Sequence, residues 1–275
     1  TTRIKCIHIA IRLIIGSSNI NISGSPTING SIYGGGRGYD LASDKPDLAQ
    51  MEGESTLTIS GSPTINGSIY GAGMGLTNYE NMAKFTGTTN ININTDLSIN
   101  VYGGGNIAKT IGTTNVNINS GDHTQAIYGG GNVGILEGTS NVQINGGTSV
   151  QVYGGGNQAE VTTPTVTINA GNNENVYGGG NQAEITNSTV TVKGGNNQNI
   201  FGGGNQAGAE STQIIILDGD SNNVYGGSNA SGVVVSSNIL MQGGNTLNIY
   251  GGNNEGGTTQ TSNITVSGGT SGNLF

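Results

Sequence analysis

Apolar residues recur along this chain on two periods at once. Over short distances they alternate with polar ones. In TPTVTINAGNNENVYGGGNQAEIT (163–186), Val166 and Ile168 face one way and Thr165 and Thr167 the other. Val176 follows a polar turn, and Ala183 and Ile185 alternate with Gln182 and Glu184. Each run has the two-residue rhythm of a short half-buried strand. Over longer distances the whole pattern returns, marked by an aromatic at Tyr33, Tyr70, Tyr102, Tyr128, Tyr153, Tyr177, Phe201, Tyr225, Tyr250 and Phe275. The first two intervals are 37 and 32 residues, after which the spacing settles to 26, 25, 24, 24, 24, 25 and 25. A period in that range marks a stacked-repeat architecture. Glycines inside every unit argue against helical repeats.

Three short strands per unit predict an all-β fold, a three-sided parallel β-helix (β-solenoid) of about ten rungs of ~24–25 residues, each strand pairing with its equivalents above and below. Strand spacing makes this a rod roughly 45–50 Å long with a narrow continuous core. One file of that core is legible as Ile32, Ile69, Val101, Ile127, Val152, Val176, Ile200, Val224, Ile249 and Leu274.

The phrase YGGGN follows the strand carrying Val176. Glycine accepts positive φ, so the run predicts a tight corner. The asparagine after it recurs as Asn106, Asn132, Asn157, Asn181, Asn205, Asn229 and Asn254. Stacked in register, these amides would form a hydrogen-bonded ladder along the axis. In the first two units the slot holds Arg37 and Met74, and there the spacing lengthens into excursions at 37–54 and 74–87. If Val176 points inward, alternation sends Tyr177 outward. Tyr102, Tyr128, Tyr153, Tyr177, Phe201, Tyr225 and Tyr250 would then form a flat aromatic strip, either stiffening the rod by ring stacking or offering a surface to sugars or a neighbouring rod.

Composition narrows the partners. Charged residues are 9% of the chain, the net charge is −8, and no basic stripe of the kind that neutralises phosphates is present, which excludes nucleic acid. The single cysteine, Cys6, reads as a packing residue with no disulfide partner. Residues 1–16 contain RIKCIHIAIRLII, too short and too charged to span a membrane and interrupted by His8 and Arg12, unlike a signal peptide. They read as an N-terminal cap or donor strand on a repeat domain covering 17–275.

Motifs for chemistry are weak. GGGN lacks the Lys-Ser/Thr and helix of a phosphate loop. Asn or Gln stands where calcium-binding glycine repeats need Asp. Glu160 and Glu184 share a slot that holds Lys109, Ile135 and Gly208 elsewhere, so they read as a solvated corner. His8 and His123 lie far apart in the array, and Asp40, Asp44, Lys45, Asp47, Glu52 and Glu54 read as a solvated insertion. The outward pairs Thr165/Thr167 and Thr189/Thr191 would suit ice, but that file breaks into Asn90/Asn92, Asn115/Asn117 and Asn238/Leu240. No cofactor, metal or catalytic set is expected.

A solenoid leaves unpaired edges at its ends. The last unit stops at its aromatic, while the first residues are rich in Ile. Two arrangements follow: a cap on the chain's own first rung, or donation of Ile4, Cys6, Ile7, Ile9, Ile11, Leu13 and Ile15 to the open rung of another copy at Leu274 and Phe275, joining chains head to tail.

The phrases VYGGGN and TNVNINSG resemble repeats in large secreted or surface-anchored adhesin-like proteins of bacteria and related microbes, over 88–275 and more loosely 17–87. The resemblance implies a parallel β-helix and surface display, adhesion or matrix building. The combined expectation is a non-enzymatic, extracellular structural subunit of a surface fibre or adhesin, with itself and cell-surface or matrix glycans as partners. The alternatives are a carbohydrate-binding or carbohydrate-active β-helix and, as a minor reading, an ice-binding solenoid.

Overall fold

A computed structural model describes residues 13–38, 48–79 and 81–275. Among these every regular element is a β-strand, and every strand-to-strand ladder is parallel. The long strands Leu13–Ile22, Gln50–Ile59, Phe85–Asn94, Thr110–Ser120, Leu136–Ile144 and Val161–Ile168 stack in chain order. A second file, Val101–Tyr102, Asp122–Tyr128, Thr148–Tyr153 and Asn172–Tyr177, stacks beside it. Register equates the repeats as the sequence aligned them: Val142 pairs with Val116 and Val166, and Val152 with Ile127 and Val176. The result is a parallel β-solenoid of about eight full turns, with a partial layer at each end of the described chain.

The third predicted run is not a separate strand. It is fused to the long strand that follows, so that Leu136–Ile144 turns a corner within its own length. In the early layers the corner is Gly53, Gly87, Gly112 and Gly138, with φ of +137°, +134°, +125° and +147°. A side chain there would be strained, and its Cβ would collide with the carbonyl of the glycine one layer below. The register between Leu136–Ile144 and Val161–Ile168 slips by one residue between Leu136 and Thr139. That slip drops the corner glycine and accounts for the shortening of the repeat from 25 residues to 24.

Three apolar files fill the interior. The expected file from Ile32 to Ile249 is buried throughout, joined by one through Leu57, Ile91, Val116, Val142 and Val166 and another through Ile59, Ile93, Ile118, Ile144 and Ile168. Each such side chain contributes about 1.5–3 kcal/mol relative to leaving it in water. Leu274 departs from the expectation: it pairs with Ile249 but is 55% exposed, because its layer is covered on one side only.

The excursions are shorter than the sequence indicated. Strand resumes at Gln50 and at Phe85, and Met51 and Phe85 are buried partners. Glu52 and Glu54, expected in a solvated insertion, therefore lie in strand, and Glu54 Oε1 accepts a hydrogen bond from Asn90 Nδ2 at 2.8 Å. The second excursion returns to the rod through buried Met82 and Ala83, whose N–H donates to Leu48 O at 2.8 Å.

Candidate functional site

The side chains singled out in the sequence form columns parallel to the rod axis. Among the described residues, the asparagine column is an unbroken ladder. Nδ2 of Asn132, Asn157, Asn181, Asn205, Asn229 and Asn254 donates to Oδ1 of the asparagine one layer below, at 2.8–3.0 Å. An amide carries a donor and an acceptor on one planar group, so each asparagine inside the column bonds to the layer below and to the layer above. The same device recurs on other faces, in Asn119, Asn145 and Asn169, and in Asn199, Asn223, Asn248 and Asn273.

The glycines of YGGGN serve a purpose other than the one expected. None of Gly154, Gly155, Gly156, Gly178, Gly179 or Gly180 has a positive φ. Their lack of a side chain is what matters: a Cβ on Gly154 would lie 2.4 Å from Gly178 O, and one on Gly155 would lie 2.6 Å from Gly180 N. The layers touch backbone to backbone here. Gly154 N donates upward to Tyr177 O at 2.9 Å, whereas Asn181 N donates downward to Gly156 O at 2.9 Å. The slots are not strictly glycine, since the second holds Ala72 in an early layer and the third holds Ser228 and Asn253 in later ones. Positive φ is found instead at the opposite turn, in Gly121, Gly147, Gly171, Gly195, Gly219 and Gly244.

The aromatic column corrects the sequence reading. Tyr102, Tyr128, Tyr153, Tyr177, Phe201 and Tyr225 are buried, and Tyr250 is half-buried. Ten rings from Tyr33 to Phe275 stack face to face with centroids 4.6–5.0 Å apart and planes within 9°. Val176 and Tyr177 do point to opposite faces of the strand, but both faces are covered. After the ring the chain bends at the glycines and brings the asparagine column back across it: Tyr128 OH donates to Asn157 Oδ1 at 3.4 Å. Burial pushes the phenols of Tyr128 and Tyr177 up to about 12. It holds those of Tyr102 and Tyr153 well above the usual phenol range, with neighbouring phenols adding to the effect. The column forms a second core rather than a flat exposed strip.

Two further columns escaped the sequence reading. Buried hydroxyls of Thr89, Thr114, Ser188, Thr212 and Ser237 donate to the first glycine carbonyl of the layer's own YGG phrase, Gly103, Gly129, Gly202, Gly226 and Gly251, at 2.6–2.7 Å. Ser140 does the same to Gly154, and Pro164 occupies the equivalent slot in the next layer. The signal was present as a slot restricted to Ser, Thr and Pro. The other column, His123, Ser149, Asn173, Asn197, Ser221 and Thr246, is polar yet at most 4% exposed. Its two asparagines bond directly, Asn173 Nδ2 to Asn197 Oδ1 at 2.9 Å. His123 Nε2 lies 3.1 Å from Ser120 O, and burial lowers the pKa of the imidazole against the opposing pull of Ser120 O, Asp96 and Asp122.

Of the remaining candidates, Glu160 and Glu184 are exposed in adjacent layers. Thr165 pairs with Thr189, but Thr165 Oγ1 is already hydrogen-bonded to Asn141 Oδ1 at 2.9 Å. Leu13 and Ile15 lie in the first described strand, Leu274 in the last, and Phe275 stacks on Tyr250 at 4.7 Å. Ile4, Cys6, Ile7, Ile9 and Ile11 lie outside the described residues, as do His8, Asp40, Asp44, Lys45 and Asp47. Among the described residues no helix is long and apolar enough to cross a membrane, and no three His, Cys, Asp or Glu side chains converge on a metal-sized space. The chain matches no protein family, no curated protein and no solved structure.

Proposed function

We propose that this chain is a non-enzymatic structural rod, an extracellular subunit of a surface fibre or adhesin that extends by stacking further layers on its ends. One observation carries this reading. The residues of the repeated phrase bond to their own equivalents in neighbouring layers, Asn181 to Asn157 and Asn205, Tyr177 to Tyr153 and Phe201, rather than converging around a cleft. Such an arrangement adds one more set of interlayer contacts with every layer, so the rod is stabilised as it lengthens.

Large apolar side chains are exposed in both terminal layers, Leu13, Ile14 and Ile15 in one and Val266, Leu274 and Phe275 in the other, at 40–77%. Head-to-tail joining, with the N-terminal segment of one copy added to the last layer of the next, would cover both sets and continue the ladders across the junction. Glycans remain secondary partners, because the buried rings no longer offer the aromatic strip that favoured them.

Electron microscopy of the purified chain tests the reading. Long unbranched fibres are expected, lost when residues 1–16 are deleted. Monodisperse short rods from the intact chain at all concentrations would overturn assembly.

A further inference from the structure

The polar side chains of most faces are bonded along the axis, but one face carries a different pattern. A groove of about 500 Å³ runs along the rod from Ile135 to Val235. Its floor is apolar and buried, formed by Leu136, Val161, Ile185 and Ala209. Its walls carry Glu137, Glu160, Glu184 and Glu210 on successive layers, and its two ends carry Ile135 on one side and Val233 and Val235 on the other. Those three are 43–48% exposed, and Val133, 47% exposed, continues the apolar end.

The clustering is unusual in two respects. Away from the terminal layers, the exposed large apolar side chains among the described residues are six: three lie at the ends of this groove, Val133 lies beside Ile135 in the adjoining hollow, and Leu217 and Leu247 are elsewhere. Exposed apolar surface gathered in one concave place marks an interaction site more than scattered single residues do. Glu137 meets Lys109 at 2.6 Å, whereas Glu160, Glu184 and Glu210 have no ion-pair partner among the described residues. The local field is therefore strongly negative between two apolar anchors.

We propose that this groove docks an extended basic peptide segment of a partner protein, with lysine or arginine side chains against the carboxylate walls and an apolar side chain at each end. Concavity favours a single extended chain over a flat surface. Five layers span about 19 Å at strand spacing, which roughly six extended residues cover. A second copy of this chain laid groove to groove would set carboxylate against carboxylate. The proposal stands apart from the fibre reading, since it concerns the side of the rod and not its ends.

The test is fluorescence anisotropy with a labelled peptide of alternating lysine and valine, titrated with the full chain at physiological salt. Saturable binding is expected, weakening as salt rises because the carboxylates are solvent-exposed. The triple variant Glu160→Gln/Glu184→Gln/Glu210→Gln should lose about tenfold or more in affinity, the sum of three modest ion pairs. Val233→Ser/Val235→Ser should weaken binding without changing the salt slope. The control Glu174→Gln/Asp218→Asn/Glu255→Gln removes the same charge off the groove and should bind like the parent. Equal losses in both triple variants would show a general attraction to an acidic rod and overturn the site. So would an absence of saturation, or a dimer in sedimentation that the groove variant alone abolishes. Circular dichroism of each variant confirms that the fold is retained before affinities are compared.

Discussion

The hydroxyl of Ser188 lies inside the fold and donates to the carbonyl of Gly202 at 2.6 Å, fourteen residues along the chain. It joins the long strand of a layer to the first glycine of that layer's corner. The bond matters because that carbonyl sits where the backbone leaves sheet geometry, and a buried acceptor without a donor costs about 1–3 kcal/mol. Thr212→Val removes the equivalent donor to Gly226 with almost no change in shape. We expect it to lower stability by about 1–3 kcal/mol, read as a shift in the midpoint of a urea titration.

Pro164 supplies the converse experiment. It stands in register with Ser140, and the layer's own glycine carbonyl, Gly178 O, thus faces a side chain that cannot donate. Pro164→Ser restores a hydroxyl, worth about 1 kcal/mol, but frees the unfolded chain by a comparable amount. The two nearly cancel, so the expected midpoint lies within about 0.5 kcal/mol of the parent. A loss as large as that of Thr212→Val would show that the hydroxyl column contributes little at this layer.

The asparagine ladder makes a graded prediction. Asn181 is bonded on both sides, to Asn157 and Asn205, while Asn254 is bonded to Asn229 alone. Asn181→Ala should cost about 1–3 kcal/mol, the sum of two net hydrogen bonds of about 1 kcal/mol each with some exposure of the ring column. Asn254→Ala should cost about half of that. Equal effects at the two positions would mean that the ladder bonds are replaced by water without loss.

How much of this was legible in the sequence depends on which neighbour a residue meets. Columns made of equivalent residues were readable, because stacking in register brings like onto like: the Val176 file and the Asn181 file follow from spacing alone. What lies across the chain within a layer was not. Alternation fixes that Tyr177 and Val176 face opposite ways, but whether the second face meets water depends on the direction of the bend at Gly178–180. Ser188 and Thr212 carry nothing in the sequence that marks them as buried donors, since Ser and Thr suit exposed strands equally well. The glycines were recognised as a corner for the wrong reason. Their small size admits the next layer's backbone, while the positive φ values sit at Gly171 and its equivalents.

The ring column predicts an alkaline limit. Tyr128 and Tyr177 have pKa values raised to about 12 from 10.0 by burial, and Tyr70, Tyr102, Tyr153 and Tyr225 are shifted the same way. Above pH 10 the unfolded chain releases phenolic protons that the folded chain retains, so the unfolded state binds fewer protons and stability falls as pH rises. The phenols' contribution should be constant below about pH 10 and decline steadily between 10 and 12. Ultraviolet titration should show these phenols ionising together with loss of the circular dichroism signal. Tyr153→Phe should flatten part of the decline at little cost at neutral pH, since Phe201 already occupies the file and the Tyr153 hydroxyl has only a 3.5 Å contact with Gln151.

His123 sets the acid limit by the opposite sign. The ring is 2% exposed, its Nδ1 has no hydrogen-bond partner among the described residues, and burial lowers its pKa from 6.5. As pH falls below 6.5 the unfolded chain takes up a proton that the folded chain resists, so stability present above that pH is lost on acidification until the depressed folded pKa is passed. Asp96 and Asp122, which act on the imidazole and favour its charged form, limit the loss without removing it. His123→Asn should abolish this dependence while preserving the neutral-pH midpoint, because asparagine already fills the same column at Asn173 and Asn197 and would face Ser149 one layer above. Urea midpoints measured at pH 7.5, 6.5 and 5.5 separate the cases, to the order of one proton's worth of slope. A parent protein whose midpoint does not fall over that range would show that His123 reaches solvent or an acceptor, and that the column around it is open.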